Sequence, residues 1–168
     1  TGRAKDLIIR GGHNIDPLMI ENAMAEHPAV ALAAAVGMPD AYAGELPACY
    51  VVLRPGASAT EDELQAHAQR TIGERPAWPK AIHVVDAIPL TSVGKIYKPQ
   101  LRCDAAARVV TQVVREQLGI RDALAVASEG GRRGMRMRVT LPPAARASVA
   151  TVERALSSFV FESEVVVG

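Results

Sequence analysis

Lys95 follows a glycine and a turn-forming run, Pro89-Leu90-Thr91-Ser92-Val93-Gly94. A lysine ammonium is a compact charge on a long stem, and a tight glycine turn lets that stem reach out of a loop toward anions. The Gly-Lys pair lacks the earlier glycine of a phosphate loop and the Ser or Thr that follows one, so it is not a P-loop. Gly11-Gly12 is a second candidate. A ligand chain can run close to backbone only where no side chain intrudes, although a plain hairpin turn uses the same pair. His13 comes next; an imidazole can exchange protons near neutrality, yet a lone exposed histidine more often does nothing. Trp78 and Lys80 flank Pro79. The indole could stack on a base and the ammonium could pair with phosphates; a core edge and a surface lysine explain them equally well. Arg132, Arg133, Arg136 and Arg138 form the one basic cluster. Alternation reads it as a turn followed by the solvent face of a strand, ahead of a phosphate or nucleic-acid patch.

These residues need elements to hold them. Leu7 to Arg10 reads as a short apolar strand, closed by the glycine turn. Asp16 followed by Pro17 predicts a helix start that runs to about His27, where Pro28 stops it. Val30 to Val36 predicts a buried strand, Met38-Pro39-Asp40 a turn, and Ala48 to Leu53 another strand. Thr60 with Glu63 fits a capping box, so a helix is expected from Glu61 to Ile72. Ala81 to Val85 reads as a strand and Leu90 to Gly94 as a turn. A short ordered piece then runs from Ile96 to about Arg102.

The last third changes character. Asp104 reads as the cap of a helix with Val109, Val110, Val113, Val114 and Leu118 on its apolar side, stopped by Gly119. Ala123 to Ala127 and Met135 to Leu141 predict two strands, Ala147 to Phe159 a helix, and Glu164 to Val167 a closing strand. The expected fold is α+β: a small, mostly antiparallel sheet flanked by helices over 1–102, then an α-β-β-α-β extension over 103–168.

Composition narrows the function classes. The chain has 168 residues, 49% apolar and 22% charged, a globular balance that argues against disorder. A net charge of +1 gives no sign of nucleic-acid binding. No apolar run reaches the length of a membrane span. No leader opens the chain, and it starts as if cut from the middle of a longer protein. Cys49 and Cys103 are not in metal spacing and read as buried thiols of a reduced, cytoplasmic compartment. No metal site is expected.

Several spaced segments carry a resemblance. They are Gly2-Arg3-Ala4-Lys5-Asp6, Ile8-Ile9-Arg10-Gly11-Gly12-His13-Asn14-Ile15-Asp16-Pro17, Ile20-Glu21, Val36-Gly37-Met38-Pro39-Asp40, Gly44-Glu45, Ile88 through Lys98, and Leu101-Arg102. In this order, over residues 1–102, they resemble the C-terminal domain of AMP-forming acyl-CoA synthetases, within the superfamily of luciferases and peptide-synthetase adenylation domains. The resemblance implies that Lys95 is the catalytic lysine of carboxylate adenylation and Lys5 the hinge about which the domain rotates. It implies that Arg3 meets the nucleotide, and that Gly11 and Gly12 border the pantetheine tunnel. Lys80, with Trp78, falls in a region that contacts the CoA nucleotide in some relatives. Ala43 stands where some CoA-binding relatives carry an aromatic.

The same resemblance implies ATP with Mg2+ and CoA as co-substrates, a carboxylic acid as substrate, and a larger N-terminal domain as partner. That domain holds the ATP loop and the acyl pocket, so this chain alone is expected to be inactive. A lid for a carrier-protein-loading enzyme and a stand-alone binding module are the alternatives. Residues 103–168 have no counterpart in the short relatives. Packing on the domain, homodimer formation and contact with the larger domain all stay open for them.

Overall fold

A computed structural model describes residues 6–168. Arg3 and Lys5 lie outside the described residues. The first sheet has the order β2-β1-β4-β3, built from β1 (Ile8–Arg10), β2 (His13–Ile15), β3 (Val30–Asp40) and β4 (Gly44–Leu53), with β5 (Ala81–Val84) beside β4. All pairings are antiparallel except β4–β5. The outer edge of β4 is shared: β1 meets it at Gly44, β5 from Ala48 to Val51.

Both faces of this sheet are covered, which is why its strands read as unbroken apolar runs. Ala33, Ala35, Cys49 and Val51 face a core with α1 (Pro17–Ala25) and α2 (Glu61–Thr71). The alternate residues Ala34, Val36 and Tyr50 face a second core with Ile88, Leu101 and Ala105. Both helix starts are as the sequence predicts. Asp16 accepts from the Leu18 N–H at 3.0 Å, and Thr60 and Glu63 satisfy each other's backbone N–H groups, each at 3.1 Å.

Three local expectations need correction. Met38-Pro39-Asp40 is the end of β3, not a turn. β3 is an edge strand, where a proline's missing donor is tolerated. The turn comes later, where the Asp40 carboxylate accepts from the N–H groups of Tyr42 and Ala43 at 3.0 and 2.7 Å. The piece expected to end near Arg102 and the helix expected to begin at Asp104 are one helix, α3 (Lys98–Gln112), continued by a π turn over Val113–Gln117. Pro99 starts it, and Asp104 caps nothing because its carboxylate is held by Tyr50 and Arg108. The division at 102/103 therefore falls inside α3. The helix expected over Ala147 to Phe159 is a 3-10 segment, Pro143–Ser148, followed by α4 (Val149–Leu156).

The second sheet has the order β6-β7-β8, from β6 (Leu124–Glu129), β7 (Met135–Leu141) and β8 (Glu162–Val167). β6 and β7 form a hairpin, and α4 crosses over so that β8 lies parallel to β7. Met137, Val139, Leu141, Val152 and Leu156 form a third core with Ala106 and Val110 of α3 and Val114 of the π turn that continues it. Arg136 and Arg138 point to solvent and pair with Glu162 and Glu164, as the alternation predicts. One helix thus packs on two cores: Leu101 and Ala105 on the first unit, Ala106, Val110 and Val114 on the second.

Candidate functional site

Lys95 sits on a short hairpin. Leu90 and Ile96 form its bridge, the Thr91 N–H donates to the Lys95 carbonyl at 2.6 Å, and the Gly94 N–H donates to the Thr91 carbonyl at 2.9 Å. Gly94 has φ +81°, a left-handed conformation that costs a glycine nothing. The Thr91 hydroxyl accepts from the Lys95 N–H at 3.1 Å. The backbone of Lys95 is therefore tied down while its side chain is exposed. Among the described residues no carboxylate lies within ion-pair distance of its ammonium.

The legs of this hairpin are anchored. The Tyr97 N–H donates to the Pro89 carbonyl at 2.8 Å. Lys98 pairs with Glu21 at 2.6 Å, both side chains mostly buried; Glu21 also accepts from the Ala35 N–H at 3.2 Å. Cys49 lies nearby, where burial first and the Glu21 charge second push its thiol up to about 12. It is an inert core residue. Cys103 is half-buried, and burial raises its thiol too.

The Gly11-Gly12 turn joins β1 to β2 and leans on the β3–β4 tip through a 2.7 Å bond from the Gly11 N–H to the Ala43 carbonyl. Gly11 has φ +56°. A side-chain carbon at either glycine would meet nothing within 4 Å, so both present bare backbone to open space. His13 is exposed beside them, and Tyr42 at the neighbouring tip is fully exposed at 100%.

Trp78 packs at the edge of the first core, and its indole N–H donates to the Ile72 carbonyl at 2.9 Å. The Arg75 guanidinium lies 5.5 Å from its ring centroid, so one face is already taken. Trp78, Lys80 and Arg10 line a cleft of about 200 Å3 with Arg75. The structure thus brings Lys80 and Trp78 beside the residue that precedes Gly11. Lys95 belongs to a different part of the surface, next to the second core.

Sequence reasoning missed two groups. Tyr50 donates to Asp104 at 2.5 Å, and Arg108 donates to the same carboxylate at 2.7 Å. Burial alone would raise the Asp104 carboxyl, but the bonds from Tyr50 and Arg108 outweigh it and hold it below the ordinary range. Burial, then Asp104, push the Tyr50 phenol well above its ordinary value. His83 packs on the Tyr50 ring at 5.1 Å, and burial, then Arg108, lower it. Only the i,i+4 spacing of Asp104 and Arg108 could have signalled this group. The second group is a cleft of about 520 Å3 where Gly11, Ala43 and Glu45 of the first unit face Arg133, Met135 and Phe161 of the second. No sequence spacing signals it.

The family model for the AMP-binding enzyme C-terminal domain matches residues 19–95. This segment belongs to that family. The match ends on Lys95, the residue singled out by its turn. A marinolic acid–CoA ligase from Pseudoalteromonas sp. (strain SANK 73390) is 51% identical over 115 residues, 68% of this chain and 18% of that protein. An alignment over 68% of the chain is longer than residues 1–102, so the likeness extends beyond that span. A putative acyl-CoA synthetase from Bacillus subtilis (strain 168) is 44% identical over 61% of the chain and 18% of its own length. Among solved structures, a Mycobacterium tuberculosis fatty acyl CoA synthetase superposes with a TM-score of 0.58 at 34% identity, covering 63% of this chain and 21% of that one. ATP-bound MatB from Rhodopseudomonas palustris superposes with a TM-score of 0.57 at 34% identity, over 60% and 20%. The chain spans about a fifth of the length of the relatives it matches. The fold is the expected α+β arrangement of this family, and no helix among the described residues is long and apolar enough to cross a membrane.

Proposed function

We infer that this chain is the mobile C-terminal domain of an AMP-forming acyl-CoA ligase and that Lys95 is its catalytic residue for carboxylate adenylation. In that reaction a carboxylate attacks the α-phosphate of ATP, so two anions must approach each other. An ammonium delivered between them neutralises charge that concentrates in the transition state. The observation that carries the reading is the state of Lys95. Its backbone is fixed by a bridged turn, and its exposed ammonium has no ion-pair partner among the described residues. Lys98, three residues on, is by contrast paired and mostly buried.

Gly11 and Gly12 serve the second half-reaction, where their bare backbone lets a pantetheine arm pass. Lys80 and Arg10 face the phosphates of CoA across the cleft with Trp78. Arg3 meets the ATP side, and Lys5 is the hinge that swings the domain between the two half-reactions. A larger N-terminal domain supplies the acyl pocket, the grip on ATP and the Mg2+ that accompanies it. Among the described residues no group of three or more His, Cys, Asp or Glu side chains could hold a metal. Because the acyl pocket and the grip on ATP lie on that larger domain, the chain alone is inactive in this reading, and its place is the cytoplasm.

The test is made in the full-length enzyme. Lys95→Ala lowers carboxylate-dependent pyrophosphate exchange about a hundredfold or more, the scale of losing one charge-stabilising group. It leaves conversion of preformed acyl-adenylate to thioester intact. Equal damage to both half-reactions, or to neither, overturns the assignment.

A further inference from the structure

Among the described residues, a side-chain bond links the second unit to the Lys95 hairpin. The Tyr97 hydroxyl, two residues beyond Lys95, donates to Glu129 at 2.6 Å. Glu129 is the last residue of β6. The turn that follows it is closed and braced: the Gly130 N–H donates to the Gly134 carbonyl at 3.1 Å. Glu162 accepts from the Arg132 N–H at 3.1 Å and faces the Arg136 guanidinium at 3.6 Å. The carboxylate is thus mounted on a structured hairpin end. Tyr97 is held from both sides, its N–H on Pro89 in the opposite leg of the Lys95 hairpin and its hydroxyl on Glu129.

We propose that Glu129 is a positioning residue for Lys95, acting through Tyr97, so that the C-terminal unit holds the catalytic turn in place. This rests on the assignment of Lys95 to adenylation. A lysine on a two-legged hairpin can rock about the hairpin's foot, and small displacements of a catalytic charge are costly in rate. Leu90–Ile96 and Tyr97–Pro89 tie the legs to each other, which does not stop rocking of the pair. Lys98–Glu21 ties the start of α3 to α1. The Tyr97–Glu129 bond adds a tether from the other unit. An ordinary phenol keeps its proton, and the tether its donor, through the neutral range; the bond to Glu129 shifts Tyr97 further upward.

The experiment uses the full-length enzyme with Tyr97→Phe, Glu129→Ala, Glu129→Gln and the double variant Tyr97→Phe/Glu129→Ala. Each of the first two lowers kcat of pyrophosphate exchange about three- to tenfold, the scale of one ordinary net hydrogen bond, because water screens this exposed pair. KM for ATP and acid stays within about twofold, since the loss is confined to the transition state. Thioester formation from preformed adenylate is unchanged. Glu129→Gln keeps an acceptor and retains about half the rate or more. The double variant is no slower than the worse single one, because both remove the same bond. Hydrogen exchange at the Lys95 amide, bonded to Thr91, speeds up in the slowed variants. Wild-type exchange rates in both single variants overturn the proposal, as do equal losses in the two half-reactions or additive losses in the double variant. Lys95→Ala is run alongside. Loss of exchange in Lys95→Ala with normal Tyr97→Phe and Glu129→Ala removes the tether alone; full exchange in Lys95→Ala removes the catalytic reading and the tether with it.

Discussion

Tyr50→Phe tests how the two units are joined. Tyr50 is 1% exposed on β4, in the core that meets α3. Its hydroxyl reaches Asp104 on α3 at 2.5 Å, and Arg108 holds the same carboxylate at 2.7 Å. Phenylalanine fills the same space, so no cavity term enters. A hydrogen bond to a charged acceptor is worth about 1.5–3 kcal/mol net. The Asp104 side chain is 45% exposed, so water can take part of the vacated place while Arg108 remains. The expected cost is therefore at or below the low end, about 1–1.5 kcal/mol, or a Tm lower by about 2–5 °C for a chain of this size. The pH dependence follows from the carboxyl, which is held below its ordinary value. A depressed acid stabilises the fold above its unfolded pKa of about 3.9, and that stability fades as pH falls through the folded value. The gap between wild type and Tyr50→Phe should be full at neutral pH and shrink below about pH 4. Urea unfolding at a series of pH values measures it. Coincident midpoints at pH 7, or a gap that does not change down to about pH 3, would refute the reasoning.

Further outcomes are expected at the Lys98 ion pair and at the glycine turn. Lys98→Met removes one partner of a pair whose side chains are 14% and 16% exposed, leaving Glu21 as an uncompensated buried charge; urea unfolding should report a loss of about 3 kcal/mol. Gly11→Ala forces a side chain into φ +56° and should cost about 1 kcal/mol, whereas Gly12→Ala meets neither strain nor neighbours and should leave stability unchanged. If the tunnel assignment holds, Gly12→Ala nevertheless slows thioester formation in the full-length enzyme.

Much of the first unit was legible because its signals are local. A cap at Asp16, a reciprocal box at Thr60 and Glu63, and a glycine before Lys95 each act within four residues. The turn at Lys95 could be read for the same reason. What failed was non-local. Met38-Pro39-Asp40 carries turn residues, yet β3 runs through it because β4 pairs with it as far as Gly44. Asp104 has the chemistry of a cap, yet Tyr50 from a strand 54 residues away claims its carboxylate, and α3 passes straight through. The tether from Glu129 to Tyr97 joins residues 32 apart in the chain, and no periodicity marks either one.

The course of α3 changes what the last third of the chain means. A boundary at 102/103 treats residues 103–168 as an appendage that could be removed. Instead one helix supplies Leu101 and Ala105 to the first unit's core and Ala106, Val110 and Val114 to the second's. Cutting there would expose apolar residues on both sides and sever the bond from Tyr50 to Asp104. Packing against the lid, one of the roles the sequence left open, is thus built into the helix. The β6–β7 hairpin end then lies between two parts of the surface. Glu129 touches the Lys95 hairpin, while Arg133 and Met135 share a cleft with Gly11 and Ala43. If Lys95 serves adenylation and Gly11 serves thioester formation, a single element of the second unit borders both half-reactions. Changes in that hairpin should then affect the balance between the two steps more than they affect the fold.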